Sequence, residues 1–421
     1  MDKIVVKGGK KLSGTVRVSG AKNSALPIMA ACLLGSEKSV LEGVPNLRDV
    51  QTMCRLLRVI GARVIFENDR LEITPFSKMK PVAPYHLVST MRASVCVLGP
   101  LLARLGSAQV SLPGGCVIGA RPIDLHLKGL QALGAQIQIS HGDVYAGTKG
   151  KLQGKEIYLG GAFGSSVLAT ANVMMAATLA HGVTLIENAA SEPEVVDLAD
   201  FLNKMGAKIE GHGSHLIKIQ GVRKLHGANH TIIPDRIEAG TFMVAAAITK
   251  GDVTVQNCEP EHLNALIDKL QQAGVSVKRS KGSVRVSRKG RLKPIDVTAL
   301  PYPGFPTDLQ AQIMALMAVT PGISVITEKI YPDRFMHVSE LNRMGCRIFL
   351  EGSSAIVNGV QKISGAPVMA SDLRASAALV LAGLAGEGET HVSRIYHLDR
   401  GYERIEEKLS SLGADIRRAK E

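Results

Sequence analysis

A single thiol, Cys116, stands in the run LPGGCVIGARP, with two glycines just before it and Arg121 close behind. Glycines let backbone approach a ligand closely, and a cation beside a thiol lowers its pKa from the unperturbed value of about 8.5, so the loop suits chemistry on an anion. A tight turn with an incidental cysteine fits the loop alone equally well, because Gly-Gly turns are common and lone cysteines usually pack. Further cations and carboxylates are scattered through the chain: Lys22 and Asn23, Arg92, Asp308, Arg334, Asp372 and Arg374, and Arg400. Cations that neutralise a phosphorylated carboxylic acid, together with groups that move protons, would make a site from such a set. Each Asp-Arg neighbour pair is also a good helix cap or surface ion pair.

Several chemistries are disfavoured. The chain has no Gly-x-Gly-x-x-Gly after a strand, no Walker loop, no HExxH and no Gly-x-Ser-x-Gly. Its cysteines, at 32, 54, 96, 116, 258 and 346, form no CxxC or Cys/His cluster, so neither a metal site nor a disulfide framework is expected, and no cofactor is called for. Cys32, Cys54 and Cys96 lie in apolar helical runs and read as core. The net charge of +13 raises the question of nucleic acid, but the cations are dispersed, tryptophan is absent and aromatics make up 4% of the chain, which argues against stacking platforms. Steering of a small, multiply charged anion fits better. Apolar runs such as LPIMAACLL are too short to span a bilayer, and MDKIVVKGG lacks a signal-peptide core, so a cytoplasmic protein without a membrane span is expected.

Elements that could position these residues recur. A helical run ending in a Gly-Ala-like signature appears six times, at Gly61, Gly134, Gly206, Gly274, Gly345 and Gly413, about 70 residues apart. Each copy reads as an apolar helix, a β-rich run, a polar loop, an amphipathic helix and a hairpin. The last copy stops without the KLxG segment that follows other hairpins, and KKLSGTVRVSG at the start supplies it. The symmetry predicts an α/β protein of two three-repeat domains, 22–230 and 1–21 plus 231–421, with a cleft between similar halves. Polar residues gather at helix starts, where unpaired N–H groups and the dipole favour anions.

The strings SGAKNSALP, MRAS, LPGGCVIGARPIDLHL, EPEVVD, PDRIEAGTF, FPTDLQAQ, DRFMHVSEL, ASDLRASA and HLDRGYERIEEKL closely resemble the UDP-N-acetylglucosamine enolpyruvyl transferases, nearly end to end. The resemblance implies the inside-out α/β barrel fold of the enolpyruvyl transferase family, with two domains of three repeats each. It also implies transfer of the enolpyruvyl group of phosphoenolpyruvate to the 3-hydroxyl of UDP-N-acetylglucosamine, the first committed step of peptidoglycan precursor synthesis. Under it Cys116 is the proton donor, open to alkylation by fosfomycin, and Asp308 the base at the sugar hydroxyl. Lys22, Arg121 and Arg400 hold phosphate. Arg334 and Arg374, with Asp372 beside them, face the carboxylate, and Asn23 and Arg92 complete the pattern. Nucleotide-sugar contacts are implied for Arg121, Pro122, Ile123, Asp124, Leu125, Ser166, Val167, Asp308 and Ile330. Glu192, Glu194, Arg236 and Glu238 match family positions as well, but read as structural ion pairs.

One segment departs from the family. Leu168 stands where many members have glycine, and Gly164 where a lysine is common, so the turn is expected to differ, because leucine enters the φ > 0 region only at a cost. Three alternatives stay open: a shikimate 3-phosphate enolpyruvyl transferase, an RNA 3-phosphate cyclase, and a non-catalytic paralogue that binds nucleotide sugar. RPIDLHL argues against the first, the lack of a nucleotidylated-histidine motif against the second, and the joint presence of Cys116, Asp308, Lys22 and Arg400 against the third. None of these motifs sets an oligomeric state.

Overall fold

The computed structural model describes residues 2–112, 123–162 and 164–420. In each repeat the first helix is apolar on all sides and becomes core, as in Lys22–Ala31, Val167–Ala177, Arg236–Ile248 and Leu373–Ala385. The second helix is amphipathic, as in Arg48–Ile60, and covers the outside of that core. Every second helix is followed by one of the six repeat glycines, whose φ values run from +89° to +114°. At five of them the next N–H reaches back to the helix, as Ala207 N does to Leu202 O at 3.0 Å. Only glycine takes this left-handed stop without a Cβ penalty, which explains its recurrence at a fixed place in the repeat.

The apolar run ASVCVLGPLLARLG is not one helix. It begins as a 3-10 segment, Arg92–Val97, and turns α-helical at Leu98–Leu105. Pro100 has no N–H, and its ring excludes the carbonyl four residues back, so α-helical bonding cannot run through the join. The run LQAQIMALMAVTPG similarly lies behind a 3-10 turn at Thr307–Leu309, which carries Asp308, before Gln310–Ala318.

Among the described residues, these elements form six four-stranded sheets. The chain divides into two compact units, residues 2–19 with 234–420 and residues 20–112 with 123–233, with three sheets in each. Within a unit, the short strand after one hairpin joins the next sheet in parallel. Val82–Ala83 pairs with Ser107–Ser111, and after the third hairpin Asn229–Thr231 returns to Ser39–Glu42, closing a ring of three. In the other unit the closing strand is Ser13–Arg17, parallel to Asp252–Gln256. Asp2–Lys7 lies antiparallel between Glu389–Ser393 and Asp415–Lys420, so it occupies the second hairpin position of the sixth sheet. Asp2 pairs with Lys420, and the chain's two ends stand where the other repeats have a hairpin turn. Each unit holds one continuous apolar core built around its buried helices. Among the described residues, no helix is long and apolar enough to cross a membrane.

Candidate active site

In the unit containing residues 234–420, three of the candidate residues meet directly. The 3-10 turn presents Asp308, whose Oδ1 accepts from Arg334 Nη1 at 2.8 Å and whose Oδ2 accepts from Arg374 Nη2 at 3.0 Å. Both guanidinium groups are buried, while a quarter of the Asp308 side chain is exposed. Burial alone would push the Asp308 carboxyl up, but Arg374 and then Arg334 outweigh it and hold the group well below the usual carboxylate range. The carboxylate is therefore anionic, and with these two partners it is a weak base.

Neighbouring groups hold the two arginines. Arg374 lies in the first turn of Leu373–Ala385, which Asp372 caps by accepting from Arg374 N at 2.7 Å and Ala375 N at 3.2 Å. Its guanidinium carbon sits 5.3 Å from the centre of the Tyr402 ring, and Tyr402 Oη is in turn bonded to Thr241 Oγ1 and Gln312 Nε2. Arg334 Nη1 also donates to Thr307 Oγ1 at 2.9 Å, and Thr307 donates to the buried Glu328 at 2.7 Å. The other oxygen of Glu328 accepts from the backbone of Ile330 and Tyr331. One buried carboxylate thus ties Ile330, Thr307 and Arg334 into a single arrangement. His337 is buried and stays neutral near pH 7: burial pushes it down to about 4, Asp372 opposes this and Arg334 adds to it.

Arg400 ends the 3-10 segment Leu398–Arg400 and is half-buried. Its charge assists burial in lowering the His397 pKa. Glu328, Thr307, Gln312 and Tyr402 were not singled out by the sequence. Tyr402 lies two positions from Arg400 in HLDRGYERIEEKL, and Glu328 precedes the Arg334 string in TEKIYPDRF, so proximity to those motifs was the available signal.

In the unit containing residues 20–233, Lys22 and Asn23 open the first helix. Lys22 Nζ faces Asp49 Oδ2 at 3.1 Å with both side chains nearly buried. A cation at a helix N-terminus opposes the helix dipole, and Asp49 offsets it; the same electrostatics attract an anion to Lys22. Arg92 starts its own 3-10 segment, next to a neutral histidine. Burial, with Arg92 adding to it, lowers the pKa of His126 to about 3, and its Nδ1 accepts from Asn172 Nδ2 at 3.0 Å.

Ile123 is buried, Asp124 is exposed at the start of Asp124–Ala132, and Leu125 follows it. These residues adjoin the segment before Ser166, since a Cβ on Gly161 would stand 3.1 Å from Leu125 Cδ1. Gly161 and Gly164 exchange two backbone hydrogen bonds of 3.0 and 3.1 Å. Ser166 caps Val167–Ala177 through Ala169 N. The left-handed position in this segment is Gly164, at φ +91°, whereas Leu168 is the second residue of the helix and needs no positive φ. The expected conflict between leucine and the turn does not arise, because position 168 has ordinary helical backbone. Cys116, Arg121 and Pro122 lie outside the described residues.

Glu238 is buried and bonded to Lys408 and Ser19 N, and burial raises its pKa against the pull of Lys408. Glu192 caps Pro193–Lys204 by position, and Arg236 stacks near Tyr302. Among the described residues, no group of three His, Cys, Asp or Glu side chains could hold a metal ion.

Residues 6–409 match the family model described as EPSP synthase (3-phosphoshikimate 1-carboxyvinyltransferase). Over 417 residues, 99% of each chain, this chain is 57% identical to the UDP-N-acetylglucosamine 1-carboxyvinyltransferase 1 of Caldanaerobacter subterraneus subsp. tengcongensis. It is 55% identical over 419 residues, again 99% of each, to the UDP-N-acetylglucosamine 1-carboxyvinyltransferase of Methylacidiphilum infernorum. Among solved structures, the enolpyruvyl transferase NikO from Streptomyces tendae superposes with a TM-score of 0.89 at 26% identity, covering 99% of both chains. An EPSP synthase from Acinetobacter baumannii shares the fold at a TM-score of 0.75 and 20% identity over 100% of both. Six repeats of one α/β unit, a carboxylate clamped by two buried arginines and full-length similarity place the chain in one group: it belongs to the EPSP synthase (3-phosphoshikimate 1-carboxyvinyltransferase) family of enolpyruvyl transferases.

Proposed function

We propose that this protein transfers the enolpyruvyl group of phosphoenolpyruvate to the 3-hydroxyl of UDP-N-acetylglucosamine and releases phosphate, as a step in peptidoglycan precursor synthesis. The observation that carries this reading is 55–57% identity, over essentially the whole chain, to proteins named for that reaction. The reaction is addition followed by elimination. The sugar oxygen bonds to C2 of phosphoenolpyruvate as a proton is added at C3, and the tetrahedral adduct then loses a C3 proton and phosphate.

In this reading Cys116 delivers the proton to C3 and Asp308 accepts the proton of the sugar hydroxyl. Lys22, Arg121 and Arg400 neutralise the phosphate, and Arg334 and Arg374 the carboxylate. Asn23, Arg92, Arg121, Pro122, Ile123, Asp124, Leu125, Ser166, Val167 and Ile330 contact the nucleotide sugar, and Asp372 keeps Arg374 in place. The arginine clamp supplies a reason for substrate order at this carboxylate. A substrate carboxylate that shares Arg334 and Arg374 weakens their hold on Asp308 and returns it toward ordinary basicity, so Asp308 becomes a competent base only once the donor is bound.

Phosphate release from phosphoenolpyruvate tests the reading. Release that depends on UDP-N-acetylglucosamine supports it. Equal release with shikimate 3-phosphate, or none with either acceptor, overturns it.

A further inference from the structure

Among the chain's dispersed cations, one short run is densely basic. Residues 276–294 contain eight lysines and arginines and no acidic residue, a local charge of +8 in a chain whose total is +13. They form the hairpin Ser276–Ser280 and Ser283–Ser287 and the loop that follows it. Lys278, Arg279, Lys281, Lys289, Arg291 and Lys293 are all exposed, and among the described residues none of them makes an ion pair. Arg285 pairs with Asp252 at 2.7 Å.

The sixfold repeat provides an internal control, because the fold places an equivalent hairpin in every sheet and does not require it to be basic. In the first repeat, Arg70 pairs with Glu42 and Glu72. In the third, Lys218 faces Glu210, and in the sixth, Arg418 is held by Asp399 and Glu406. The fourth hairpin and its loop differ in gathering many exposed cations around one carboxylate, Asp252, which pairs with Arg285 and also attracts Lys289 and Lys278. Most of the charge is left in excess, a cost in self-repulsion that folding does not explain.

Its surroundings narrow the partner. Cross-strand pairing sets Lys278, Arg285 and Thr254 in one row across three strands, and Ser276, Ser287 and Asp252 in the next row on the same outward sheet face. Residues 276–294 include no aromatic side chain and no exposed large apolar one, so they lack both the stacking platforms of single-strand binding and the anchors of a protein interface. The hairpin is not a free ribbon either: it is half of a four-stranded sheet, whose strands about 4.8 Å apart make it wider than a DNA major groove of about 12 Å. A plane of anionic lipid headgroups asks only for mobile cations on a broad face. We propose that this face docks the protein, peripherally and reversibly, on anionic phospholipid bilayers.

Co-sedimentation of the full chain with vesicles tests this, using equal parts phosphatidylcholine and phosphatidylglycerol against phosphatidylcholine alone. The fourfold variant Lys278→Ser, Lys281→Ser, Lys289→Ser, Lys293→Ser removes only lysines without ion pairs, so its melting temperature and enolpyruvyl transfer should match the parent. The parent should bind the anionic vesicles, release them as salt rises past about 0.15 M, and ignore the neutral ones. Each lysine contributes about fivefold, so the variant should bind at least about 100-fold more weakly. Equal binding to both vesicle types, equal binding by parent and variant, or tight binding to duplex DNA with none to vesicles overturns the proposal.

Discussion

Asp308 Oδ2 and Arg374 Nη2 stand 3.0 Å apart, joining a partly exposed carboxylate to a guanidinium that is only 2% exposed. Sixty-six positions separate them in sequence. Removing the carboxylate leaves Arg374 and Arg334 without the anion that compensates their burial. Asp308→Ala should therefore cost about 3–5 kcal/mol of stability. Asp308→Asn, which keeps the shape, should cost less stability yet lower kcat by about 10²- to 10⁴-fold if this group is the base. Urea denaturation and phosphate release measure the two effects separately, and a fully active Asn variant would refute the role.

The pH dependence of stability has a definite sign. Asp308 has a folded-state pKa below its unfolded value of about 3.9, so its contribution is present above that value and is lost as pH falls toward the folded one. His126 and His337 are lowered from about 6.5 to about 3 and about 4. Below pH 6.5 the unfolded chain binds protons that these two cannot, so stability should fall by up to about 1.4 kcal/mol per pH unit for each. Urea midpoints between pH 7 and 4.5 should show this decline, with a shallower slope in His126→Asn. A flat profile would contradict it.

Native alkylation should modify one thiol. Cys32, Cys54, Cys96, Cys258 and Cys346 are buried, and burial pushes their pKa values up to about 11 or 12, so all five are poor nucleophiles at neutral pH. Iodoacetamide should add a single group, mapped by peptide mass to Cys116 and slowed by phosphoenolpyruvate with nucleotide sugar, and six only after unfolding. Fosfomycin should add to the same residue. Modification elsewhere first, or no adduct at all, would count against the proposed general acid.

Leu168→Gly, which restores the residue common in the family, should not improve sugar binding, because position 168 is helical and its neighbour Gly164 already supplies the positive φ. It should instead cost about 2 kcal/mol, through helix propensity and lost contact with the core. A lower KM for the nucleotide sugar at unchanged melting temperature would show the opposite.

Local patterns were legible without coordinates. The apolar helices, the amphipathic helices, the stopping glycines and their sixfold recurrence depend on interactions a few residues long, and periodicity records those directly. The strings around Lys22, Asp308, Arg334, Arg374 and Arg400 named the candidate site in the same way. Proline chemistry at Pro100 was equally local, yet the apolar run concealed it.

By itself, then, the sequence determined which segments become helix, strand and stop, and which family supplies the chemistry. Tertiary structure alone decided that Asn229–Thr231 closes the sheet of Ser39–Glu42 and that Glu328 reaches Thr307 and the Ile330 backbone. It also decided that Asp308 is clamped by two buried arginines. Such relationships join residues far apart in the chain, and their strength comes from burial that only packing creates.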